Sequence, residues 1–220
     1  MTNVIIYNIV QKKEYCLQKL VDDFENRFQD NAQGIVINEY SEKFLKATFW
    51  QKKMQRNYKF NPEKRDFDII EEDIVTFADF GVEVEDKKLL VFGNKQMAQR
   101  IITLIGIVSE NAYSITEFVF NIEKLVRKIC EKPDVKLVKI KLVDIAIEKG
   151  VMVNCSVNLM AQDDPVTLTL KYVKSIVAIA FRLGEISTNI TVYKSGRFSL
   201  SKVDDNEKDE LIQSIMQIVR

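Results

Sequence analysis

VEVEDKKLLVFG, residues 82–93, decides how the rest of the chain is read. Val82 and Val84 alternate with Glu83 and Glu85, Asp86-Lys87-Lys88 makes a polar break, and Leu90 and Phe92 resume the alternation. Side chains on a strand point to opposite faces in turn, so period-two apolar spacing on both sides of a short polar break predicts a β-hairpin with one buried face. Gly93-Asn94 ends the second strand. Asn94 suits the cap of a helix whose apolar residues Met97, Ala98, Ile101, Ile102, Leu104, Ile105 and Val108 recur at three- and four-residue intervals.

The same pattern returns near the end of the chain. Laid over ITVYKSGRFSLS, residues 190–201, the first hairpin pairs Val82 with Ile190, Val84 with Val192, Leu90 with Phe198 and Phe92 with Leu200 without a gap. The segment from Asp144 to Leu183 has the same order with a longer connection. These features predict an α+β fold of antiparallel sheets built from repeated β-hairpin-plus-helix units, with helices packed on one face and the other face open. Such a topology is similar to the saddle of TATA-binding-protein-like folds. None of that family's sequence motifs is present, so no residue roles follow from the likeness.

Working outward, Val4 to Val10 reads as a strand and Lys12 to Phe28 as an amphipathic helix. Ile35 to Asn38 and Leu45 to Trp50 read as paired strands. Asn61-Pro62 marks a turn, and Phe67 to Phe80 is acidic and strand-like. Ser114-Ile115-Thr116-Glu117 fits a capping box opening a helix that Pro133 stops. Val135 to Ile147 and Val151 to Leu159 form a hairpin around Gly150. Asp163-Asp164-Pro165 then starts a helix whose apolar positions run through Leu170, Val173, Ile176, Val177, Ala180 and Leu183. Asp204 is expected to cap a last helix with Leu211, Ile212, Ile215, Met216 and Val219 inward. Pro133 and the charged pair before it suggest two halves, an N-terminal α+β half over 1–132 and a ββαββα half over 133–220, within what can also be one continuous domain.

Composition removes several chemistries. The chain has no histidine, which excludes Ser-His-Asp and Cys-His catalysis and His-based zinc sites. Its three cysteines, Cys16, Cys130 and Cys155, lie far apart in apolar-periodic segments and read as packed thiols in a reducing, cytoplasmic setting. No apolar run is long enough to cross a bilayer as a helix, so no membrane partner is expected. Asp79 with Glu85-Asp86-Lys87 follows the order of a metal-dependent nuclease, but Glu85 and Lys87 fall on the hairpin turn. No nucleotide or phosphate loop is present. Neither catalysis nor a cofactor is expected.

What remains are binding surfaces. Between Lys43 and Arg65, cations interleave with Phe44, Phe49, Trp50, Tyr58 and Phe60, a combination suited to phosphate contact and base stacking. Lys46, Trp50, Lys52, Lys53, Arg56, Tyr58 and Lys59 are its candidate contacts, joined by Lys194 and Arg197 at the tip of the last hairpin. An acidic run follows directly, from Asp66 through Asp86. It serves either to dock a charged partner or to neutralise the basic stretch. A second basic run, Lys124, Arg127, Lys128, Lys132, Lys136, Lys139 and Lys141, reads as a solvated surface. Positive and negative residues balance at 32 each. The leading expectation is a non-catalytic protein binding DNA or RNA, from a microbial or mobile-element system by its Lys-, Ile- and Asn-rich composition. The alternative is a protein interaction subunit or homo-oligomeric scaffold, and the distant one a carboxylate- and lysine-dependent nuclease.

Overall fold

In the computed structural model, which describes residues 1–27, 31–184, 188–201, 203 and 205–219, the segment 82–93 closes the hairpin predicted for it, but not with a single buried face: Leu89, Leu90 and Val91 are all buried and Val84 is exposed. Strand β4 (Asp66–Glu83) pairs antiparallel with β5 (Lys88–Phe92), Val82 facing Leu89 and Glu83 facing Lys88. Two compact units make up the chain: one segment, Asn8–Thr116, and a second unit of Met1–Tyr7 with Glu117–Arg220. Strand β1 (Thr2–Gln11) runs from one into the other. Pro133 lies inside the second unit, in the turn before β7 (Val135–Glu148).

The Asn8–Thr116 unit continues through α1 (Leu17–Arg27), β2 (Gln33–Tyr40), β3 (Phe44–Asn61), β4, β5, α2 (Lys95–Val108) and β6 (Tyr113–Glu117). Its core is aromatic and aliphatic. Leu20 and Phe24 of α1, Ile35, Leu45, Phe49 and Phe80 of the strands, and Ile101 and Ile105 of α2 are all buried. Phe24 meets Phe80 edge to face with centroids 6.3 Å apart, which places α1 against the sheet face that carries Leu45, Ala47 and Phe49. Asn94 caps α2 as expected, its Oδ1 accepting from the Met97 amide at 2.9 Å.

The second unit contains the start of β1, α3 (Ile122–Cys130), β7, β8 (Val151–Asn158), α4 (Pro165–Lys171), a 3₁₀ turn at Val173–Ser175, β9 (Ile176–Leu183), β10 (Ile190–Tyr193), β11 (Arg197–Leu200) and α5 (Asp205–Val219). Phe120, Val126, Ile140, Ile179, Phe181, Val192, Phe198 and Ile215 fill its interior. All pairings among its strands are antiparallel. Leu211, Ile212, Ile215 and Met216 are buried on α5 as the pattern predicts, whereas Asp204 and the Val219 side chain lie outside the described residues.

Three expectations are corrected. Ser114–Glu117 is strand, not a capping box; the helix start is Asn121, whose Oδ1 accepts from the Lys124 amide at 3.0 Å. The helix after Asp164 stops at Lys171, and Ile176–Leu183 is a strand inserted between β10 and β7. A strand with neighbours on both edges and most residues buried reads as a continuous apolar run, which satisfies helical spacing by accident; the β-branched Ile176, Val177 and Ile179 carry the truer signal. The gapless overlay of the two hairpins also fails in register. Ile190 faces Leu200, so the overlay requires Val82 to face Phe92, but Val82 faces Leu89. The shared apolar pattern reflects alternation rather than one conserved pairing. In addition, Cys16 and Cys155 are exposed, and only Cys130 is half-buried, its thiol pushed above the ordinary range mainly by burial.

Glycine is required at one turn by contact as well as by conformation. Gly196 has φ of +74°, is buried, and a Cβ there would stand 2.0 Å from the Phe118 carbonyl oxygen; its own carbonyl accepts from the Ile6 amide at 2.8 Å. Gly150 has φ of +84° with nothing within 4 Å of its would-be Cβ. Urea unfolding is therefore expected to show a loss of about 1 kcal/mol for Gly150→Ala, from left-handed strain alone. For Gly196→Ala the expected loss is at least about 3 kcal/mol. Equal losses would refute the Phe118 contact.

Candidate interaction surface

Strands β3 and β4 are 18 residues each and pair without a register shift from Phe44 opposite Glu83 to Asn61 opposite Asp66. The flanking strands are shorter. β2 accompanies β3 only as far as Gln51, and β5 accompanies β4 only from Asp79. The remaining ten residue pairs of the hairpin, at a rise of roughly 3.3 Å per residue, make a two-stranded arm about 30 Å long. Its end is closed by Asn61, whose Oδ1 accepts from the amides of Glu63 and Lys64 at 3.1 and 3.3 Å around Pro62.

Unbroken register divides the arm into two faces. Even-numbered residues of β3 share a face with odd-numbered residues of β4, in the rungs Trp50 with Phe77, Lys52 with Val75, Met54 with Asp73, Arg56 with Glu71, Tyr58 with Ile69, and Phe60 with Phe67. This face is mostly apolar and in water: Tyr58 is 67%, Ile69 59%, Phe67 58% and Phe60 54% exposed. Phe60 and Phe67 meet edge to face at 5.5 Å. The opposite face bears Lys53, Gln55, Asn57 and Lys59, and at the base of the hairpin the same parity turns inward as Leu45, Ala47 and Phe49. Gln51 on that side accepts a hydrogen bond from the Arg100 guanidinium of α2.

Three of the seven expected phosphate-binding cations, and Lys43 beside them, are engaged by carboxylates. Lys52 Nζ lies 2.6 Å from Asp73, Arg56 Nε 2.8 Å from Glu71, Lys46 Nζ 3.2 Å from Glu39, and Lys43 Nζ 2.7 Å from Glu85. At the turn, hydrogen bonds from Asn61 and Lys64 hold the Asp68 carboxyl below the ordinary range, with help from the charge of Lys59. The acidic run thus neutralises the basic one strand against strand. Trp50 is also committed. It faces Gly34 on β2, and a Cβ at Gly34 would stand 2.6 Å from the indole Nε1, so the ring lies over the glycine and is half-buried.

Of the nine residues singled out from the sequence, Lys46, Trp50, Lys52, Arg56 and Tyr58 share the apolar face, and Lys53 and Lys59 lie on the other. Lys194 and Arg197 belong to the second unit. Lys194 is held by its backbone, donating to Val177 and accepting from Phe120, and the Arg197 guanidinium stacks 4.1 Å from the Tyr193 ring centre with a buried Nε that has no hydrogen-bond partner among the described residues. Asp79 accepts from the Thr48 hydroxyl at 2.7 Å, and Glu85 sits on the turn, its carboxyl held low by the hydrogen bond from Lys43. Among the described residues no group of three potential metal ligands comes together. Phe67, Ile69, Val75 and Phe77 were the part of the surface missed. Their signal is the length of the alternating pattern on both sides of Asn61-Pro62, which exceeds what a core one helix layer deep can cover.

No protein-family model matches the chain, and no curated protein is significantly similar to it.

Trp50 is the only tryptophan, so its packing can be read directly. Gly34→Val is expected to lift the indole into water, shifting its emission to longer wavelength and raising its quenching by acrylamide. Unchanged emission would refute the Gly34 contact.

Proposed function

We propose that this protein is a non-catalytic protein interaction subunit that docks through the apolar face of the β3–β4 arm. The observation that carries this reading is the row of large side chains, Met54, Tyr58, Phe60, Phe67 and Ile69, exposed on one side of a two-stranded ribbon, with Phe77 exposed at its base. Two-stranded ribbons are marginal in water, and contiguous exposed apolar patches mark surfaces that acquire a cover. The helices are proposed to cover a single face of the sheet, consistent with the Phe24–Phe80 contact, which leaves the other face to the partner.

Photo-cross-linking tests this reading. A photoreactive phenylalanine analogue at Tyr58, introduced in the cells that make the protein, is expected to give protein adducts, and the same probe at Asn57 on the opposite face far fewer. Equal labelling from both faces, or no protein adduct at Tyr58, would remove the proposal.

A second reading, binding of DNA or RNA, keeps one supporting observation. Lys53 and Lys59 lie on the polar face of the arm and, among the described residues, neither makes an ion pair within 4.0 Å, although Lys59 stands opposite Asp68 and its charge helps hold that carboxyl low. If they touch phosphates, Lys53→Glu with Lys59→Glu should weaken binding and reduce the slope of log affinity against log salt by about 2. A titration with single-stranded and duplex DNA and RNA that never saturates at low salt would exclude this reading.

A further inference from the structure

The charges on the apolar face identify the partner. The Arg56–Glu71 rung and the diagonal pair of Lys52 with Asp73, which stands opposite Met54, point the same way, positive on β3 and negative on β4, in the middle of an apolar stripe. A surface able to cover this stripe must be apolar at the level of Tyr58, Ile69, Phe60 and Phe67. It must also place carboxylates over Lys52 and Arg56 and cations over Asp73 and Glu71, because a charge buried without a counter-charge is costly. One surface of this molecule meets both conditions: the same face of a second copy, turned about a two-fold axis that runs along the strands.

We propose that two copies of this chain pair through their arms, apolar face to apolar face, with β3 of one copy over β4 of the other. A two-fold axis along the strands leaves each residue at its own level and exchanges β3 for β4. Arg56 then lies over the partner's Glu71, Lys52 over its Val75 with its Asp73 one rung away, and the Tyr58–Ile69 and Phe60–Phe67 rungs over themselves in reverse order. The other two-fold, with the arms antiparallel, sets β3 over β3; centred on the charged rungs it brings like charges together, and centred on Tyr58 it sets Arg56 over the partner's Phe60. A contact of this kind is closed, the same patch serving both partners, so assembly stops at two. The balance of 32 positive and 32 negative residues means that no net charge holds two copies apart. This inference rests on the docking reading of the arm and adds the identity of the partner and the symmetry of the contact.

The test is the oligomeric state of the full chain by sedimentation equilibrium, with two double variants. The wild type is expected to be a dimer, and Tyr58→Ser with Phe67→Ser to weaken it by more than about 100-fold, as two buried aromatic anchors per copy imply. Arg56→Glu with Glu71→Arg preserves the ion pair within each arm but reverses its direction. This variant is expected to dimerise with itself as the wild type does, yet to form mixed dimers with tagged wild type well below the statistical share, since mixing stacks like charge on like. Free mixing would overturn the proposed symmetry. A wild type that stays monomeric at about 100 µM would overturn the self-pairing. In that event, a Tyr58 probe that still labels a different protein would leave the docking reading standing, and a probe that labels none would remove both.

Discussion

Everything distinctive about this molecule depends on the unbroken antiparallel ladder between β3 and β4. Because side chains alternate strictly along a strand, one register over 18 pairs assigns every residue of the arm to a face. A slip of one residue would send Tyr58, Phe60 and Met54 to the side that carries Leu45 and Phe49 at the base, and would bring Lys53 and Lys59 to the apolar side. Several local features oppose such a slip. Arg56 pairs with Glu71 directly across the ladder, Thr48 donates to Asp79 directly across it, and the Asn61 side chain pins the turn that starts the return strand. The exposed ion pairs add little to overall stability, because their charges remain in water. Their effect is on register, where a mismatched alignment would set like charges or unpaired groups opposite each other.

The same ladder explains a feature of the sequence that composition alone leaves ambiguous. A basic stretch followed by an acidic stretch can be two binding surfaces or one neutral one, and the difference lies in the fold connecting them. Here the turn at Asn61-Pro62 lies between the two, so folding lays Lys52 and Arg56 beside Asp73 and Glu71 within hydrogen-bonding distance. At that separation, in salt, the far field of each pair is largely cancelled. The paired charges therefore leave no row of uncompensated cations along Lys52 and Arg56, and the face is an apolar stripe crossed by oriented ion pairs.

How much of this could be read beforehand follows from the period of each segment. The 82–93 hairpin, the Asn94 cap and the Ile190–Leu200 hairpin were legible because their alternation or capping chemistry is local. Strand β9 was not. Flanked by β7 and β10 and buried along most of its length, it has no polar face to set its period, and its apolar residues fall on helical spacing as readily as on a strand. The cap at Asn121 was displaced by a stronger pattern at Ser114–Glu117, whose residues instead extend a strand. Within the candidate surface, Tyr58 and Arg56 were visible as part of an aromatic and basic stretch. Their partners Ile69 and Glu71 were not, since pairing across 11 and 15 positions is a long-range fact that only the register supplies.

On the proposed docking reading, the arm has its backbone order before a partner is met. A disordered segment that folds on its partner loses conformational freedom at the moment of contact, which subtracts from affinity. In this chain β3 and β4 are continuous with strands that cross the core, where Leu45, Phe49 and Phe80 are fully buried, and the ladder extends from that anchored base to the turn. Backbone order at Tyr58 and Phe67 is thereby set by folding, before any partner arrives. Apolar side chains held in one geometry in water gain the full benefit of being covered. A long hairpin rooted in a packed core is thus a way to keep a row of aromatics exposed and still in register, and the core that stabilises the fold is also what orients the surface.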